Sequence, residues 1–95
     1  MPWISVTTGP GLSDEAAERL SADVAAAAAS ALGLAAGDVV VLVTASRAAS
    51  GPGAVVTVAG RRRDDAAESA LTTTVSAQVA AAVGVAPDLV GVTRL

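Results

Sequence analysis

ALGLAAGDVVVLV (31–43) and AVGVAPDLVGVT (82–93) read as one phrase written twice. Each carries the end of an alanine-rich helix, a glycine stop, a short turn with an aspartate and a run of β-branched residues. Gly33 marks the first helix end, where a left-handed residue without Cβ satisfies the last carbonyls. VVVLV (39–43) predicts a strand, and its unbroken apolar run predicts cover on both faces. LVGVT (89–93) predicts the last strand.

Working outward, DEAAE (14–18) recurs as DDAAE (64–68), so the repeat extends to the helix starts. Ser13 predicts an N-cap, with Asp14 and Glu15 in the first turn. Leu20, Val24, Ala27, Ala28 and Ala31 recur at helical spacing. The second helix is predicted from about Asp64 to Val83, with Leu71, Val75, Val79 and Ala82 on one face. Trp3–Thr7 alternates as a strand, with Pro2, Ile4 and Val6 on one side and Trp3 on the other. VVTV (55–58) predicts the third strand, and SRAASGPG is an exposed central connection. The order is β-α-β, β-α-β: an α/β domain spanning 1–95, with repeat units 1–50 and 54–95. Right-handed crossovers put both helices on one face of a four-stranded sheet. The other face is then bare and apolar, which predicts burial against copies of the chain as a homotrimer.

Composition narrows the chemistry. The chain has 95 residues, no Cys, no His and a net charge of −3, and all six basic residues are arginine. Thiolate chemistry, disulfides and structural zinc are disfavoured, so no metal is expected. There is no basic footprint for nucleic acid. No run is apolar and long enough to span a membrane, and no signal segment is apparent, so a cytoplasmic protein is the expectation.

Two features carry chemistry. Pro2 follows the initiator methionine, and removal of Met1 would leave a secondary amine able to act as general base or acid. Pro2 is otherwise a strand-start proline. GRRRDD (60–65) places three cations at the positive end of a helix, which is unfavourable unless an anion binds there. In an extended segment Arg61 and Arg63 share a side and suit a small carboxylate, while Arg62 turns to solvent or Asp65. Asp38 and its repeat partner Asp88 are both turn aspartates. Ala54 falls where the repeat would put a second proline, so each chain holds one candidate amine.

The pattern Pro2-x-Ile4-x-Val6, then Gly11-x-Ser13-Asp14-Glu15, then a helix ending Leu32-Gly33, resembles the 4-oxalocrotonate tautomerase branch of the tautomerase superfamily. The doubled unit, with Arg61-x-Arg63 after the third strand and Asp38 before the second, is similar to malonate semialdehyde decarboxylase. Leu12 and Val40 stand where single-unit relatives have arginines. The resemblance implies an enzyme with Pro2 and Asp38 as catalytic residues, Arg61 and Arg63 as substrate-binding residues, and no cofactor. The implied substrate is a small 2-oxo or 3-oxo carboxylic acid, tautomerised or decarboxylated. A non-catalytic trimeric module of the same fold, or a hydratase or dehalogenase of a small unsaturated acid, are the alternatives.

Overall fold

The computed structural model describes residues 1–95. Strand β1 (Trp3–Thr8) leads to helix α1 (Asp14–Leu32), a 3-10 turn (Ala36–Asp38) and strand β2 (Val40–Ala45). Strand β3 (Ala54–Ala59), helix α2 (Asp65–Val83), a second 3-10 turn (Pro87–Leu89) and strand β4 (Val90–Arg94) follow. The sheet order is β2-β1-β3-β4, with parallel outer pairs and an antiparallel central pair. This is the expected four-stranded sheet with two helices, and the antiparallel β1–β3 seam is where the two units meet.

The caps explain the helix limits. Ser13 Oγ accepts the Ala16 N–H at 3.1 Å and Asp64 Oδ1 accepts the Ala67 N–H at 2.8 Å. Asp64 is therefore the cap, and α2 begins one residue later than predicted. Gly33 (φ 68°) and Gly84 (φ 74°) end the helices in the left-handed region. The helices are 51 residues apart by caps and by buried faces: Leu20, Val24, Ala28 and Ala29 answer Leu71, Val75, Val79 and Ala80. The DEAAE–DDAAE match thus lies one residue out of structural register. Likewise the turn position of Asp38 is answered by Leu89, not by Asp88. Ala82 is exposed and Ala80 is buried in its place.

One apolar core fills the space between sheet and helices. Ile4, Val6, Val56 and Val58 meet Leu20, Val24, Leu71, Val75 and Val79, all at most 2% exposed. The opposite sheet face is open: Trp3 is 53%, Leu42 60% and Val55 57% exposed. The expectation that β2 is covered on both faces is corrected in the single chain. β2 is an edge strand; Val41 and Val43 pack on the core while Leu42 stands outside. Its continuous apolar run covers two faces, only one of which the chain itself buries. No helix is long and apolar enough to cross a membrane.

Candidate active site

Four chain segments converge at one end of the sheet. β1 starts there with Pro2, β2 starts there just after Asp38, β3 ends there at Gly60, and β4 ends there at Arg94. Pro2 is buried and its carbonyl accepts the Val40 N–H at 3.0 Å. It lies on the helix-facing side of β1, in phase with Ile4 and Val6 as its strand parity requires. Met1 is exposed. While Met1 is attached, the Pro2 nitrogen is an amide without basicity.

Gly60 is the closest link between the proline and the arginines. Its φ of +123° suits glycine, and a Cβ there would lie 3.2 Å from both the Met1 oxygen and the Pro2 Cα. The backbone that leads into Arg61 therefore runs against Pro2. Arg61 and Arg62 are exposed and Arg63 is half-buried. Arg62 lies along a hollow with Asp65, Glu68 and Arg94, on the α2 side of the loop. The Arg63 Nε is buried without a hydrogen-bond partner. Asp38 is exposed in its 3-10 turn, two residues before the Val40 N–H that holds Pro2. The proline, the arginine loop and the Asp38 turn thus share one end of the sheet, on an open surface in the single chain.

A buried carboxylate and a half-buried guanidinium join this end that the sequence reading did not include. Arg94 Nε donates to Glu68 Oε1 at 2.7 Å, and the side chains are only 16% and 11% exposed. The Arg94 guanidinium also donates to the Gly60 oxygen at 3.1 Å and the Val58 oxygen at 3.3 Å. Glu68 Oε2 accepts the Arg63 N–H at 3.1 Å. The Arg94 hydrogen bond holds the Glu68 carboxyl below its ordinary 4.5, against the opposing effect of burial, with help from the Arg63 N–H and the charges of Arg94 and Arg62. The signal was present: Glu68 sits on the apolar stripe of Leu71, Val75 and Val79, and Arg94 is in phase with the inward Val90 and Val92.

The repeat supplies an internal control. Ile4 and Val6 pair with Val41 and Val43 as Val56 and Val58 pair with Val92 and Arg94. One step earlier, Pro2 corresponds to Ala54. The opposite end of the sheet therefore holds the counterpart site, a hollow of about 450 Å³ bordered by Gly9, Pro10, Gly11 and Leu12 in place of the arginine loop. Its lining carries no amine and no charged side chain, and Leu89 stands at the turn position of Asp38. The chain has built its polar chemistry at one end of a nearly symmetric frame.

No protein-family model matches the chain, and no curated protein matches it in sequence. Solved structures do match in shape. A fused 4-OT symmetric trimer superposes with a TM-score of 0.85 at 18% identity, over 98% of this chain and 83% of that one. Malonate semialdehyde decarboxylase gives 0.79 at 18% identity, over 98% and 82%. A protein inactivated by 2-oxo-3-pentynoate gives 0.86 at 20% identity, over 98% and 83%. At these identities the likeness speaks to architecture: the chain has the doubled β-α-β fold of the tautomerase superfamily.

Proposed function

We propose that the chain, once Met1 is removed, is a homotrimeric enzyme that uses the Pro2 secondary amine on a small 2-oxo or 3-oxo carboxylic acid. One observation carries this reading. The single candidate amine and the three-arginine loop meet at the same end of the sheet through Gly60, whereas the mirror end has neither. Arg61 and Arg63 would grip the carboxylate by charge-assisted hydrogen bonds. Nearby cations and burial both favour the neutral amine. Neutral Pro2 then takes a proton from carbon beside the carbonyl, the electron pair passes to the carbonyl oxygen, and the proton returns at a different position. That sequence is tautomerisation. In a 3-oxo acid, protonated Pro2 polarises the carbonyl; the bond to the carboxylate breaks, CO₂ leaves and the resulting enol takes up a proton. Asp38 would orient water or the charged amine.

The trimer is part of the proposal. Its support is the open face of Trp3, Leu42 and Val55 and the trimeric assembly of fused 4-OT. The test uses 2-oxo-3-pentynoate, which inactivates a structurally similar protein. A neutral Pro2 nitrogen adds to the alkyne carbon β to the ketone and the α-carbon takes up a proton, so the whole reagent is retained. Mass spectrometry should find one reagent on the Met1-free peptide ending at Arg19, with parallel loss of 2-oxo acid turnover. Pro2→Ala should lower turnover by about 10²-fold or more. Met1 retained in the native protein would overturn the reading and leave a non-catalytic module; unchanged turnover in Pro2→Ala would overturn the role of Pro2 as the acid–base group.

A further inference from the structure

The geometry points to Glu68 and Arg94 as positioning residues whose joint role is to hold the Gly60–Arg63 loop against Pro2; the inference rests on the function proposed above. The pair grips both ends of the loop. Arg94 binds the Gly60 oxygen where the loop leaves β3, and Glu68 binds the Arg63 N–H where it enters α2. Arg61 and Arg62 lie between these two fixed points. Glu68 and Arg94 are committed to these contacts: four of the five Arg94 N–H donors are in use. Both Glu68 oxygens are engaged, and the three nitrogens of Arg94 reach Glu68, Val58, Gly60 and Leu95.

The fold itself does not need this pair. At the corresponding places in the first unit stand Ala17, half-buried on α1, and Val43, packed on the core. The same sheet–helix junction is thus closed without charge. A buried ion pair must offset the desolvation of both ions, and apolar replacements of similar volume often serve stability equally well. What the second unit has and the first lacks is a loop of three mutually repelling arginines. Left alone it would splay into solvent. The carboxylate of Glu68 counters part of that charge from below, and the Arg94 guanidinium fixes the backbone that touches Pro2.

The experiment uses the full chain and transplants the first unit's solution: Glu68→Ala with Arg94→Val. Trypsin reads the loop directly, since all basic residues are arginine and Arg47 in the central connection serves as internal clock. The double variant should remain folded. Cleavage after Arg61–Arg63, relative to Arg47, should rise on the order of tenfold as local opening becomes easier. KM for a 2-oxo acid should rise by a similar factor, with kcat changing far less. Glu68→Gln, which keeps one acceptor oxygen, should give a smaller rise in both. It carries the test if the double variant unfolds. Wild-type cleavage in a folded variant overturns the positioning role. So does a loosened loop with KM unchanged. If wild-type protein lacks turnover altogether, the proposed function has failed, while cleavage still decides whether the pair holds the loop.

Discussion

Gly60→Ala tests the contact on which the site depends. At φ +123° a residue with Cβ is strained, at a cost of about 1–3 kcal/mol. The added Cβ would also lie 3.2 Å from the Pro2 Cα, a contact that survives removal of Met1. The Pro2 Cα is a backbone atom, so no rotamer change relieves the crowding. β1 or the arginine loop must move by a few tenths of an ångström. Gly11 separates the two effects, since it has φ +107° with nothing within 4 Å of its added Cβ. Gly11→Ala carries strain only. For a domain of this size each kcal/mol shifts Tm by about 4–8 °C. Gly60→Ala should therefore lower Tm by about 10–20 °C, and by clearly more than Gly11→Ala. Scans at one fixed protein concentration are needed, because assembly makes Tm concentration-dependent. Where the variant remains folded, it should also bind carboxylates more weakly, because the loop has been pushed off Pro2. Equal Tm losses in the two variants would refute the close approach of the loop to Pro2.

Three further outcomes are expected. Arg61→Ala and Arg63→Ala should each weaken a carboxylate competitor by about tenfold to a hundredfold, from roughly 1.5–3 kcal/mol per charged hydrogen bond, with little effect from Arg62→Ala; equal effects at all three, by competitive titration, would mean diffuse charge rather than a paired grip. Glu68 is held below 4.5 in the fold, so its ionised form stabilises the protein at neutral pH and that contribution fades as pH falls below 4.5 through the folded value. The Tm gap between wild type and Glu68→Gln should accordingly be full at neutral pH and shrink as the solution is acidified below 4.5, and a gap independent of pH would contradict the charge-based account. Trp3→Glu puts a charge on the open sheet face at the start of β1, and light scattering should then report monomer instead of the proposed trimer; an unchanged trimer would place the subunit contact elsewhere.

Much of the architecture was legible because it rests on local physics. Period-2 alternation in 3–7, helical spacing of Leu20, Val24, Leu71 and Val75, and the stops at Gly33 and Gly84 need no tertiary information. The repeat then implies two equivalent crossovers, and the parity of β1 puts Pro2 on the side of Ile4. Sequence offsets, by contrast, misaligned the repeat by a residue at the helix starts and matched Asp38 to Asp88, because alanine-rich segments score well in neighbouring registers. Only hydrogen-bond register and burial decided that Leu89 answers Asp38 and that Val43 answers Arg94. The sheet order made β2 an edge strand with Leu42 outside, which a run of β-branched residues does not reveal. The Glu68–Arg94 tie belongs to the same class. Its partners are 26 residues apart on a helix and a strand; each is in phase with an apolar face, but nothing in the sequence joins one to the other. A charge-assisted hydrogen bond needs its partners at about 2.7–2.9 Å, so the tie exists only once β4 has docked beside β3 and α2 has closed over both.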